Sequence, residues 1–401
     1  MSASALSLRE AAQTALENNP SLQRTQREIE VAEESLKVAR GNKGVSVSAS
    51  SSFNAAKTEG NLHSNSLSAR VTASLTLYSG NKLETQIKSA ELDIATARLE
   101  FLKAQDDLVY QVAIAYVDAL ENLATTRVNL QTEENLAAHE QNIALLYDAG
   151  SKAKIDLLRA QVETANAEQD TSKSHAAYEV SLVNLATLMS VNDISGMTLE
   201  EISTALEMVD LEDFLTRADE NRDDLRADAL RIEQGELNIE IARANKRPTV
   251  SAQVGTGLNS SYDSWHPTPD ISAGVSASWN IFDSGITRAQ IQSAEIELGR
   301  LRLAMESDID SVHKDVVTAY KNLQIAIMRL RTTQKAVDLA EEERYIATEK
   351  YNAGEGILLD ILDAETALAT ARKNLVSATY DVARYRIELA HAMGDTLFVI
   401  R

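Results

Sequence analysis

Two periodicities take turns along this chain. From Lys82 to Ala149 apolar residues recur at a spacing of three and four with no Gly or Pro: Leu83, Ile87, Ala90, Ile94, Ala97, Phe101, Ala104, Leu108, Val112, Ala115, Ala119 and Leu123. A stripe sustained over so many heptads predicts a helix of coiled-coil type, on the order of 100 Å long at 1.5 Å per residue. The rhythm returns from about Thr287 to Asn352, through Ile291, Ala294, Leu298, Leu301, Met305, Ile309, Val312, Val316, Ala319 and Leu323. Each long helix runs into a short break, Ala149-Gly150-Ser151 or Ala353-Gly354-Glu355-Gly356, and a second helical pattern follows, about Ile155–Met189 and Ile357–Met393. Gly just past a helix end is the usual left-handed stop, and so short a link makes the two helices fold back antiparallel. The pattern predicts two long helical hairpins.

Ahead of each long helix the period drops to two. Val45, Val47, Ala49 and Phe53 alternate with serines, and Leu67, Ala69, Val71, Ala73, Leu75 and Leu77 alternate with Ser, Thr and Arg70. Val250, Ala252, Val254 and Leu258, then Ile271, Ala273, Val275, Ala277, Trp279 and Ile281, do the same in the second half. Such alternation is that of strands with one apolar and one polar face. Polar stretches at about Ala55–Ser66 and Asn259–Asp270 read as the loops joining each pair.

The halves are copies. Val71–Tyr78 returns as Val275–Phe282, and Gln86–Leu92 as Gln290–Ile296. Tyr147, Gly150 and Asp156 return as Tyr351, Gly354 and Asp360 at the same spacing. One position shorter, Ala39–Lys43 returns as Ala242–Lys246, and Leu8, Ala15, Glu17, Asn18 and Leu22 match Leu211, Ala218, Glu220, Asn221 and Leu225. A unit of half the chain is too long for a solenoid repeat and reads as a duplicated module.

Four strands do not close a barrel by themselves, and an open sheet leaves its edges unpaired. If the apolar face meets lipid, closure is compulsory, because no water satisfies an edge. Two chains would supply eight strands and three would supply twelve; a twelve-strand barrel lined by Ser and Thr has room for a water-filled pore. The alternative is a soluble four-stranded sandwich carried on coiled coils, its apolar faces packed together. Those faces are mostly Ala and Val, thin for a core but adequate against lipid.

Composition narrows the options. With 4 Pro, 15 Gly and 4 % aromatics, ordinary globular cores and frequent turns are both scarce. The net charge of −21 disfavours nucleic acid and anionic membrane surfaces as partners. The absence of cysteine removes disulfides, thiolate metal sites and thiol nucleophiles. No run is long and apolar enough for a transmembrane helix. Met1-Ser2-Ala3-Ser4 has neither a basic nor an apolar leader region, so a cytosolic chain or a mature form with an added Met is expected. No Ser/His/Asp set or Gly-rich phosphate loop appears, and His63 and His266, in equivalent loops, have no second histidine near them in sequence. No catalytic residue, metal or cofactor is expected.

The order helix, strand hairpin, long helix, Gly turn, helix, all duplicated, resembles the TolC family of outer-membrane efflux channels. The residues that carry the resemblance are the run Ala15–Leu22, the strand-to-helix junctions Leu77–Gly80 and Ile281–Gly285, and above all Tyr351-Asn352-Ala353-Gly354 leading into Leu359–Glu365. It covers about Leu6 to Gly394. It implies a mostly α, α+β membrane protein: a homotrimer whose twelve-strand β-barrel in outer-membrane lipid continues into a twelve-helix α-barrel in the periplasm. It implies no enzymatic activity, but an exit duct for efflux or type I secretion. That duct is joined to an inner-membrane pump by a periplasmic adaptor (membrane fusion) protein. On this reading 1–192 is the first repeat, with strands about 45–56 and 67–78 and a helical hairpin about 81–190. An equatorial segment, 193–221, overlaps the start of the second repeat. Residues 222–401 complete that repeat, with strands about 248–259 and 270–282 and a hairpin about 286–394.

In the family an acidic pair after the second hairpin turn lines the constricted periplasmic end, and it maps to Asp360 and Asp363, three apart on one helix face. Acids in a first helical turn also complement the helix dipole. Asp360 fits both roles, since its copy Asp156 is acidic too; Asp363 is more distinctive, because its copy is Arg159. The first turn reads Ser151-Lys152-Ala153-Lys154 and the second Glu355-Gly356-Ile357-Leu358. Lys152 or Lys154 is therefore expected to pair with Glu355, and Arg159 with Asp363, between hairpins of the closed ring. The family often carries a basic residue where Gly356 stands. Gly150 and Gly354 terminate helices and, by the resemblance, form with Ser151, Lys152 and Glu355 the tips where the adaptor docks. Tyr147 and Tyr351 fit either packing of the tip or a partner. Tyr78 and Phe282 fit an interfacial girdle or junction packing, and Tyr262 and Trp265 the outer mouth. The rival function is a structural coiled-coil envelope protein that conducts nothing.

Overall fold

The computed structural model describes residues 5–58, 62–202, 210–261 and 266–396. The side chain of His63, and Tyr262 and Trp265, lie outside the described residues, as do positions 203–209 of the segment read as equatorial.

The duplication is visible element by element. After β1 (Ala5–Leu6), the first half runs α1 (Leu8–Asn18), α2 (Pro20–Gly41), β2 (Ser46–Thr58), β3 (Leu62–Tyr78), α3 (Lys82–Asp148) and α4 (Lys154–Met189). After β4 (Thr198–Leu199), the second half runs α5 (Leu211–Asn221), α6 (Asp223–Ala244), β5 (Thr249–Ser261), β6 (Thr268–Ser278), α7 (Ile286–Asn352) and α8 (Leu358–Ala392). Both long helices have 67 residues, so the heptad stripe runs unbroken in each copy. Every stripe position singled out on α3 and α7 is buried or half-buried.

Local chemistry sets the boundaries. Ser7 caps α1: its hydroxyl accepts from the Glu10 N–H at 3.2 Å while the Glu10 carboxylate accepts from the Ser7 N–H at 3.0 Å, a reciprocal cap for two otherwise orphaned donors. Pro20 then forbids continuation of α1 and opens α2 at a position that needs no N–H.

β2, β3, β5 and β6 form one antiparallel sheet in that order. This removes the sandwich alternative, which needs two facing sheets. The apolar face is bare in the chain: Val47 is 70 % exposed, Phe53 64 % and Ile271 83 %. The stretches read as loops are shorter than the side-chain pattern suggests. The β2–β3 ladder continues to Thr58↔Leu62, and β6 already starts at Thr268. Pairing uses backbone groups whatever the side chains, so it persists where alternation has lapsed. β6 stops at Ser278, not about 282. Beyond it the Trp279 indole N–H donates to the Lys246 carbonyl at 3.0 Å, and Ser284 and Gly285 take positive φ, which no ladder accommodates. Tyr78 and Phe282 are both exposed, Phe282 the more so.

Two compact units divide the chain, and each draws on both halves: Met1–Arg24, Leu102–Asp223 and Ile309–Arg401 form one, Thr25–Phe101 and Asp224–Asp308 the other. In the second unit the copies repeat even their ion pairs. Arg40 meets Glu91 at 2.9 Å as Arg243 meets Glu295 at 3.3 Å, and Arg98 meets Glu33 at 3.3 Å as Arg302 meets Glu236 at 3.0 Å. The two copies are fastened at Gly80, whose carbonyl accepts from Arg247 at 2.9 Å. In the first unit β1 and β4 pair in parallel. The buried Tyr116 hydroxyl donates to the Leu6 carbonyl at 2.7 Å and accepts from the Glu200 N–H at 2.8 Å. Burial pushes that phenol up to about 12. Arg384 of α8 meets Asp118 and Glu121 of α3, each at 2.7 Å. Among the described residues no helix is long and apolar enough to cross a membrane.

Candidate functional site

The two hairpin turns are built alike. At the first, Gly150 has φ 73°, its N–H donates to the Tyr147 carbonyl at 2.8 Å, and the Ser151 N–H donates to the Leu146 carbonyl at 2.8 Å. At the second, Gly354 has φ 78°, its N–H donates to Tyr351 at 3.0 Å, and the Glu355 N–H reaches Lys350 at 2.9 Å. These bonds satisfy the last carbonyls of α3 and α7 and use the one residue type that takes a left-handed φ cheaply.

Below the shared backbone the turns differ. Tyr351 is buried, in a cluster with Leu136, Ile143, Ala160, Leu358, Ile361 and Leu362, whereas Tyr147 is exposed. The Lys152 ammonium lies 4.2 Å from the centre of the Tyr351 ring. The first turn is thus held against the end of α7 within the same chain.

Asp360 and Asp363 are both exposed on α8. Asp360 caps its own helix, accepting from the Ile357 N–H at 3.2 Å, so the dipole role is realised. With Glu342, Glu343 and Lys350 of α7, the two aspartates line a hollow of about 480 Å³. Within the chain, no ion pair among the described residues joins Arg159 to Asp363, or Lys152 or Lys154 to Glu355; Lys152 turns to Tyr351 instead. Asp156 is half-buried and Arg159 exposed on α4.

Sequence reading missed the acid at the centre of this region. Glu365 is 2 % exposed. Its carboxylate faces Arg344 of α7 at 3.3 Å, Asn135 of α3 at 3.4 Å and His139 of α3 at 3.8 Å. Burial pushes this carboxyl up, but His139, Arg344 and Asn135 outweigh burial and hold it below the usual range. The available signal was a charge inside the apolar run Ile361, Leu362, Ala364 and Leu368. Its partners lie on two other helices and leave no local trace. No group of metal-ligating side chains occurs among the described residues.

A duplicated unit of strand hairpin and long helical hairpin, with glycine-stopped tips, is the subunit architecture of TolC-like channels. The chain belongs to the outer membrane efflux protein family, whose model matches residues 11–191 and 214–395. It is similar to the outer membrane efflux protein BepC of Brucella suis biovar 1, at 22 % identity over 95 % of this chain and 83 % of that protein. Outer membrane protein TolC of Escherichia coli is 21 % identical over 83 % of this chain and 70 % of its own length. Among solved structures, CusC superimposes with a TM-score of 0.85 at 19 % identity, covering 96 % of this chain and 92 % of that one. VceC from Vibrio cholerae superimposes at 0.82 and 19 % identity, covering 97 % and 96 %.

Proposed function

We propose that the protein is the outer-membrane exit duct of a tripartite efflux or type I secretion system. Three copies close a twelve-strand barrel in the outer membrane and a twelve-helix tunnel in the periplasm. A periplasmic adaptor docks at the turns around Gly150 and Gly354, and an inner-membrane pump supplies the cargo. Family membership supports efflux and the outer membrane.

The observation that carries the reading is the sheet itself. Its outer strands β2 and β6 have no second neighbour among the described residues, and its apolar face is bare. In lipid such edges must be paired, and further copies of the same sheet supply the partners. The helices leave matching apolar positions uncovered, among them Val162, Val180 and Val183 on α4 and Leu303, Ile325 and Met328 on α7.

At the helical tips we assign gating to charge. Three copies bring Asp360 and Asp363 to one ring, where like charges repel and attract cations. Arg159 faces Asp363, and Lys154 faces Glu355, between hairpins of neighbouring copies, Lys152 being engaged by Tyr351. Exposed pairs of this kind are worth about 0–1 kcal/mol each, enough to bias a gate without locking it.

Purified protein in planar bilayers tests both levels. A folded oligomer without channel events leaves a structural coiled-coil protein in place of the duct. Given channels, Arg159→Ala and Asp363→Ala should each raise open conductance, and the double variant should add little. Unchanged single variants remove the gating role while leaving the duct.

A further inference from the structure

From Ser46 to Ser52 of β2, and at the positions paired with them on β3, β5 and β6, the polar face is built from Ser, Thr, Asn, Gln and Gly, with one row that carries charge. Arg70 on β3 and Asp270 on β6 stand opposite the same residue of the strand between them, Gly257 of β5. The guanidinium crosses β5 and meets the Asp270 carboxylate at 2.5 Å, while its other nitrogen donates to Ser272 at 3.1 Å. The carboxylate also accepts from Asn259 of β5 at 2.9 Å. The crossing requires the glycine: a Cβ at Gly257 would lie 3.0 Å from the Asp270 carboxylate and 2.9 Å from the Ala69 carbonyl. At Gly255, next on the same face, a Cβ would make only ordinary contact with the guanidinium, at 3.5 Å. Gly257 therefore keeps clear the path of one side chain across a neighbouring strand. Both charges remain in contact with water, at 38 % and 33 % exposure.

We propose that Arg70 and Asp270 are the charge-balancing element of this face, a pair that keeps a surface with no other charge among the described residues neutral to solutes of either sign. This rests on the duct reading, with the polar face toward the lumen. Three symmetric copies then place three cations and three anions at one level. Charged rings in a pore set ion preference by raising the local concentration of the opposite ion; a ring that cancels itself sets none. Removing one member exposes three charges of the other sign at a level with no further side-chain charge among the described residues to offset them.

The measurement is the reversal potential of purified channels under a KCl gradient, for the unsubstituted protein, Arg70→Gln, Asp270→Asn and the double variant. Arg70→Gln should move the K⁺/Cl⁻ permeability ratio toward potassium by about two- to fivefold, and Asp270→Asn toward chloride by a similar factor. The double variant should return to the starting ratio. Channels whose ratio is indifferent to all three changes overturn this inference and leave the duct intact. No channels from the unsubstituted protein removes the duct, and this inference with it. Loss of assembly in both single variants and in the double assigns the pair to holding the sheet, which also overturns a selective role.

Discussion

Lys152 stands over the ring of Tyr351, 4.2 Å from its centre, and so joins the turn of one hairpin to the last residues of the long helix in the other. The repeat does not reproduce this contact: the copy of Lys152 is Gly356, and the copy of Tyr351 is the exposed Tyr147. The hairpins share a backbone plan but differ in what holds their tips.

A cation on an aromatic face contributes about 0.5–1 kcal/mol when water still reaches it. Lys152→Ala should loosen the first turn by that amount and speed amide hydrogen exchange around Gly150, whereas Lys152→Arg should leave exchange near its original rate. The Tyr351 hydroxyl is buried without a hydrogen-bond partner among the described residues. Tyr351→Phe should therefore be neutral or slightly stabilising, while Tyr351→Ala should cost about 3–5 kcal/mol through the cavity it opens. Thermal unfolding of the two variants separates these outcomes.

Glu365 ties stability to pH. Its carboxyl is held below the usual range in the fold, so the folded chain binds fewer protons than the unfolded chain in that interval. The stabilisation is complete above the ordinary carboxyl value of 4.5 and is lost as pH falls through the lower folded value. Glu365→Gln should remove this part of the acid sensitivity and cost about 1–3 kcal/mol at neutral pH, because Arg344 loses its charged acceptor. Unfolding midpoints across pH 3–7, taken as roughly the carboxyl range and above, should converge for the two proteins only at the acid end.

Gly80 and Gly150 both have positive φ, 65° and 73°, but different surroundings. A Cβ at Gly80 would lie 2.7 Å from the Arg247 Cβ and 3.1 Å from the Ala244 carbonyl, whereas at Gly150 it meets nothing within 4 Å among the described residues. Gly150→Ala should cost only the left-handed backbone, about 1–2 kcal/mol. Gly80→Ala adds overpacking against the other repeat, for about 2–4 kcal/mol in all. Denaturant midpoints should rank Gly80→Ala as the less stable variant.

Elements whose side chains repeat at a fixed period could be read directly. The stripe from Leu83 to Leu123 marks α3, and the alternation from Leu67 to Leu77 marks the part of β3 that presents two unlike faces. Where the backbone alone decides, the pattern misleads. Ala55 and Asn65 pair although no alternation marks them, and Trp279 and Ile281 continue the alternation after the ladder has ended. Contacts between distant segments were illegible for another reason. Glu365 meets residues of α3 and α7, and Arg70 meets Asp270 only because Gly257 lets it pass. Neither relation has a local signature, while the exposed acids and turn glycines at the tips were readable because they sit beside a break in a helix.

Closure of the sheet by neighbouring copies is the claim on which the duct depends, and a chain without cysteine allows a clean test. In one copy β2 and β6 are separated by β3 and β5, about 14 Å at three strand spacings, too far for a disulfide. Ser48→Cys should be combined in turn with Ser272→Cys, Gly274→Cys and Ser276→Cys, and each pair oxidised in outer membranes. Closure by three copies predicts that at least one combination yields a covalent trimer that reduction returns to monomer. Monomer from every combination, or a ladder extending past three copies, would contradict it.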